Sequence, residues 1–127
     1  GINLNFAPVV DVQPDTKSPV IGLRSYGSNP FAVARWGALA IQGYKDAGII
    51  PTLKHFPGHG STTMDSHETL PSVRKTVAEM DSTDLLPFQL LAPDANVIVT
   101  AHLSVPSLDS NHCVTFSKKI ITDLLRN

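Results

Sequence analysis

Along the chain, short apolar runs alternate with longer stretches in which apolar residues recur every three or four positions. "INLNFAPVVDV", Ile2 to Val12, starts with apolar and polar residues in alternation, then becomes almost wholly apolar and β-branched. That pattern predicts a strand buried in a sheet, with Asp11 near its C-terminal end. "SNPFAVARWGALAIQGYKDAG" predicts a helix: Asn29 can cap it, Pro30 suits its first position, and Gly48 suits the left-handed residue past its end. Within it Val33, Trp36, Gly37, Ala40, Ile41 and Tyr44 recur at the spacing of a buried helix face. "IIPTLKHF" reads as a second strand starting near Pro51, since proline cannot donate within a ladder. From Val73 to Leu91 the period is helical again, in two pieces because Pro87 lacks the N–H of a helix interior. "NVIVTAHL", Asn96 to Leu103, is a third buried strand, and "SKKIITDLLR" opens a last helix capped by Ser117.

Strands and helices in strict alternation, with short connections, imply parallel strands joined by crossovers, an α/β architecture. In each unit polar residues gather at the strand's C-terminal end: Asp11 and then Arg24, Lys54 and His55, and His102. Parallel α/β proteins place their sites at that edge, so the three loops point to one shared cleft.

Charge adds exclusions. Ten basic and eleven acidic residues are interspersed over 127 positions, leaving no basic stripe for nucleic acid. No apolar run reaches the roughly 18 to 20 residues needed to span a bilayer, and "GINLNF" has no signal-peptide pattern, so no membrane partner is expected. The one cysteine, Cys113, rules out an internal disulfide and, beside Val114, is expected to fill core. The chain starts without methionine and stops inside a helical pattern, so both ends are expected to be cut.

The densest chemistry lies in "LKHFPGHGSTTMDSHETLP", Leu53 to Pro71. His55 and His59 have the four-residue spacing of a helical zinc pair, but Pro57 and Gly58 break the helix this would need. "GHGST" lacks the lysine and length of a phosphate loop, and no dinucleotide fingerprint is present, so no cofactor is expected. A zinc site of His59, Asp65 and His67 stays open as an alternative. In "DSH", Asp65 and His67 are two apart, so in an extended loop both project to the same side. The carboxylate can then orient the imidazole, leaving its other nitrogen to give and take protons. The plain alternative is a loop hydrogen bond without chemistry.

"KHFPGHGSTTMDSHETLP" resembles the signature of the family 3 glycoside hydrolases, in particular the bacterial β-N-acetylhexosaminidases. "GINLNFAPVVDV", "PVIGLRSYGSNP", "GYKDAGIIPTLKHFPGHG", "DLLPFQLL" and "VIVTAHLSVPSLD" agree in the same order. The resemblance implies a (β/α)8 barrel of TIM type, of which residues 1–127 form a partial catalytic domain of about three strand-helix units. It implies a retaining hydrolase that removes terminal β-N-acetylglucosamine from peptidoglycan-derived fragments. His67 matches the family's acid/base and Asp65 its partner; Arg24, Lys54 and His55 match substrate contacts. His59 receives no role beyond structuring its loop. The relatives differ at Ser61, where many carry an acidic residue. Their nucleophile is an aspartate at the end of the next barrel strand, and Asp123, on the preceding helix, is no substitute. The 127 residues alone are therefore expected to be inactive, and their partners to be the carbohydrate and the rest of the barrel or another copy of the chain. A cytoplasmic location is the weaker implication, because some relatives act outside the membrane. A β-glucosidase specificity and a non-catalytic carbohydrate-binding module are the competing readings.

Overall fold

Three parallel strands form the sheet of the computed structural model, which describes residues 1–14, 20–62, 64 and 66–126. β1 (Leu4–Asn5), β2 (Ile50–Phe56) and β3 (Val97–Thr100) lie side by side in that order, with Leu4 opposite Ile50 and Thr52 opposite Val97. Helix α1 (Pro30–Asp46) links the first two; α2 (Val77–Ser82) and α3 (Leu86–Leu91) link the second and third. The α/β order and the parallel pairing are those that the alternating pattern predicts.

The first strand is far shorter than the apolar run from Ile2 to Val12. Pro8 has no N–H for a ladder, so regular pairing ends at Asn5. The chain nevertheless stays beside β2, where Thr52 N donates to Ala7 O and Val10 N to Lys54 O, both at 2.8 Å. That irregular continuation carries Asp11 to the C-terminal end of β2. There the β2–β3 register slips between Lys54 and Phe56, and the Lys54–His55 and Phe56–Pro57 peptides are cis. β3 is likewise shorter than predicted; beyond Thr100 its last tie to β2 is Ala101 N to Phe56 O at 2.7 Å.

In α1 the local signals hold. The Asn29 side chain accepts from Phe31 N and Ala32 N, and Gly48 adopts a φ of +69° just past the helix. Val33, Ala34, Gly37 and Ile41 are buried, but Trp36, expected in the core, is 52% exposed, and Ala40 and Tyr44 are half-buried. The face turned to α3 and β2 follows positions 33, 37 and 41, and Trp36 falls beside that stripe with the exposed Leu39. α2 opens on a capping box in which Thr76 Oγ1 accepts from Glu79 N and Glu79 Oε2 accepts from Thr76 N. The bonds that Thr76 N and Oγ1 donate to Oε2 hold the Glu79 carboxyl below its ordinary range. The break in the second helical stretch falls before α3, upstream of Pro87, which occupies the first turn where its missing N–H costs nothing.

Beyond β3, a tight turn at Val114–Phe116 leads into a wide helical segment, Lys119–Leu124, in which Leu125 N reaches Ile120 O. The expected cap is present, since Ser117 Oγ accepts from Ile120 N at 3.1 Å, but the regular α-helix is not. Cys113 is only half-buried, and its neighbour Val114 takes the core position. Leu53 and Phe56 of β2 meet Met80 of α2 and Phe88 and Leu91 of α3 in the core. Each such side chain contributes about 1.5–3 kcal/mol on burial. No helix among the described residues is long and apolar enough to cross a membrane.

Candidate active site

Asp11 is wholly buried, and its carboxylate joins three donors from the end of β2. Oδ1 accepts from the backbone N–H of His55 at 3.2 Å and of His59 at 2.7 Å, while Oδ2 lies 2.6 Å from His55 Nδ1. A carboxylate only accepts, so Nδ1 of His55 carries a proton and Nε2 is the ring nitrogen left for a ligand. Lys54, next to it, is half-buried and its ammonium makes no hydrogen bond among the described residues, although a polar partner is expected for a lysine in this position. Burial holds its ammonium below the usual lysine range; the Arg24 guanidinium adds to this and the Asp11 carboxylate opposes it.

The chain then turns through Pro57–Gly60 against two buried surfaces. Gly58, at φ +124°, has room for no side chain, since a Cβ there would lie 2.6 Å from Cβ of Asp84. A Cβ on Gly60 would lie 2.2 Å from the carbonyl oxygen of Val12. Ser61 Oγ donates to Asp84 Oδ1 at 2.7 Å, and Thr83 Oγ1 and Lys75 Nζ donate to Oδ2 of the same buried carboxylate. Between these glycines His59 is 3% exposed, with Thr62 Oγ1 2.7 Å from Nδ1 and Ser66 Oγ 3.0 Å from Nε2. It structures the loop, as expected. The loop ends where Ser104 N donates to Pro71 O and Val73 N to Ser104 O, both at 2.9 Å, beyond β3.

A cavity of about 400 Å³ opens at the C-terminal ends of β2 and β3, lined by Lys54, His55, His59, Ser66, His67 and His102, with Phe6 and Val99–Ala101 as its apolar side. This is the size of a small-ligand pocket. A smaller hollow of about 80 Å³ joins Arg24 to His55, His59 and His67. Four of the five candidate residues, Arg24, Lys54, His55 and His67, therefore face one region; Asp65 lies outside the described residues. Arg24 is exposed and uses Nε and one terminal nitrogen on the carbonyls of Ile21 and Val20, making no ion pair among the described residues. No grouping of three metal-ligating side chains occurs among the described residues. Both ring nitrogens of His59 face hydroxyls, and Asp65 of the zinc alternative lies outside the described residues.

Sequence reasoning placed Asp11 at the right edge but gave it no partners, because they lie 44 and 48 residues away. Ser66 went unnoticed inside "DSH". The signal that could have found it is a hydroxyl flanked by two titratable groups just after a glycine-containing turn.

The family model "Glycosyl hydrolase family 3 N terminal domain" matches residues 1–127. Beta-hexosaminidase A of Pseudoalteromonas piscicida is 41% identical over 140 residues, covering 100% of this chain and 23% of that protein. The solved structure of a family 3 beta-N-acetylglucosaminidase from a Paenibacillus species superposes with a TM-score of 0.94 at 42% identity, over 98% of this chain and 24% of that one. NagZ of Neisseria gonorrhoeae, solved with N-trifluoroacetyl-D-glucosamine, superposes with a TM-score of 0.93 at 35% identity, over 100% and 37%. The chain thus spans between about a quarter and two fifths of the length of these relatives.

Proposed function

Because the chain belongs to glycosyl hydrolase family 3, in whose N-terminal domain it forms a TIM-barrel-like α/β segment, we propose that it supplies the acid/base half of a retaining glycosidase acting on terminal β-N-acetylglucosamine. The observation that carries this reading is the lining of one cavity by Lys54, His55 and His67, with Arg24 at its edge. Two relatives that match at least 98% of the chain are named for hexosaminidase or acetylglucosaminidase activity, and a third was solved with an N-acylglucosamine. The natural substrate we propose is a peptidoglycan-derived fragment ending in that sugar.

In this reading His67, oriented by Asp65, gives its proton to the glycosidic oxygen as the C1–O bond breaks and a carboxylate forms a new bond to C1. Water then attacks C1, loses its proton to His67 and releases the carboxylate. Among the described residues no carboxylate lines the cavity; in this reading the nucleophile is the aspartate of the following barrel strand that the family resemblance implies. Lys54, Arg24 and Nε2 of His55 serve the sugar hydroxyls, where a cation or a lone pair recognises O–H or oxygen without taking part in bond making.

The test uses the longer protein that carries this chain. It should hydrolyse aryl N-acetyl-β-glucosaminides well ahead of aryl β-glucosides. His67→Ala should lower kcat/KM on substrates with poor leaving groups by about a hundredfold or more, the usual share of a general acid. Equal hydrolysis of both glycosides would remove the substrate reading, and unchanged turnover in His67→Ala would remove the acid/base assignment.

A further inference from the structure

His67 is exposed, between Gly60, seated against Val12, and Pro71, which accepts from Ser104 N; in the reading above Asp65 orients its ring, so the placing of its peptide falls to other contacts. The adjoining residue, Ser66, is half-buried, and its hydroxyl reaches Nε2 of His59. His59 is a rigid post: buried, gripped at its backbone N–H by the wholly buried Asp11 and flanked at Nδ1 by Thr62. An unbroken series of hydrogen bonds and one covalent link therefore runs from Asp11 through His59 and Ser66 to the peptide from which His67 projects.

We propose that His59 and Ser66 are a positioning pair for His67, the Ser66 hydroxyl pinning the loop so that the imidazole meets the glycosidic oxygen. This rests on the reading of His67 as acid/base. Neither member touches the reacting atoms. Their effect passes through geometry, and a misplacement of about 1 Å is enough to cost on the order of a hundredfold in rate. A loop of this kind needs such a pin because exposed residues, here Met64 and those from His67 to Leu70, are not held by packing. A hydroxyl-to-imidazole bond at the preceding residue fixes the peptide plane of His67, which lines the cavity.

The test is kcat/KM of the longer protein on a series of aryl N-acetyl-β-glucosaminides from dinitrophenyl to phenyl, for Ser66→Ala, Ser66→Thr, His59→Gln and His67→Ala. Ser66 is the primary site because its partial exposure lets alanine be accommodated without unfolding. Proton donation matters most where the leaving group is poor. Ser66→Ala should therefore lose about tenfold or more on the phenyl glycoside and markedly less on the dinitrophenyl one. Ser66→Thr, which keeps the hydroxyl, should recover most of the loss, and His59→Gln should follow Ser66→Ala. A Ser66→Ala loss that is uniform across the series, or absent, while His67→Ala shows the leaving-group dependence, would overturn the pair alone. A flat series for His67→Ala itself would overturn the acid/base reading and the pair with it.

Discussion

Asp11 and Asp109 are both buried carboxylates that collect several donors, yet Asp11 reaches partners 44 and 48 residues away and Asp109 none farther than eight. Asp109 accepts from Asn111 N at 2.9 Å and Ser117 Oγ at 2.7 Å, with His112 Nδ1 3.2 Å away, all within the loop that follows β3. Each aspartate thus faces the Nδ1 of a histidine. His55 lines the large cavity, whereas His112 is exposed and borders a separate hollow with Phe116 and two lysines. An Asp–His contact therefore does not make a site by itself. What separates the two is that the Asp11 contacts form only once β1 and β2 are side by side, so the cleft is built by the sheet, while those of Asp109 close a turn on itself.

The sharpest way to break this contrast is Gly60→Ala. Its Cβ would lie 2.2 Å from the Val12 carbonyl, and a backbone neighbour has little freedom to move aside. Urea denaturation of the longer protein should show a loss at or above about 3 kcal/mol, the upper end for overpacking. Near-normal stability would mean that the loop is not seated on the segment after Asp11. Next in size is Asp11→Asn, which can keep one acceptor but offers an amide in place of an oxygen to one of its three donors. Each donor left unsatisfied costs about 1–3 kcal/mol, and His55 should move its proton to Nε2. The ¹⁵N shifts of the imidazole would report that change, and an unchanged tautomer would detach His55 from Asp11.

The smallest effect is expected at Asp109. The bonds from Ser117 and Asn111 hold its carboxyl well below the ordinary carboxylate range. A carboxyl depressed in the folded state stabilises at pH values above its ordinary value of 3.8, and that contribution is lost as pH falls through the folded value. Asp109→Asn should accordingly lower Tm at pH 7 with glycosidase activity retained, and the gap from wild type should narrow steadily below about pH 4. A gap independent of pH would show that the hydrogen bonds, and not the ionised form, hold that loop.

This contrast also sorts what was legible in the sequence. α1 could be read to its ends because Asn29, Pro30 and Gly48 act within a turn of the residues they serve. Its buried stripe was read too broadly: periodicity marks which residues are apolar, and only the packed neighbour decides that Gly37 turns inward and Trp36 outward. β1 was overdrawn because apolar composition persists past Pro8 while the ladder does not. The C-terminal segment kept its Ser117 cap but not its helical type, since backbone bonds spanning five residues instead of four leave the residue pattern unchanged. At the site, Lys54, His55 and His67, matched to a family signature, line one cavity, with Asp65 outside the described residues, whereas the partners of Asp11, and Ser61 among those of Asp84, lay far along the chain. Nothing local announces a contact of that range.

Trp36 is the only tryptophan, half exposed on the outer side of α1 beside Leu39 and away from the residues that line the cavity. The molecule thus carries its own optical gauge of that helix face. Red-shifted emission quenched by acrylamide would mark α1 as facing solvent, and a blue shift with protection would mark it as covered. The same signal would stay silent to events confined to the cavity, which makes the assembly of the helix layer readable independently of the chemistry beneath it.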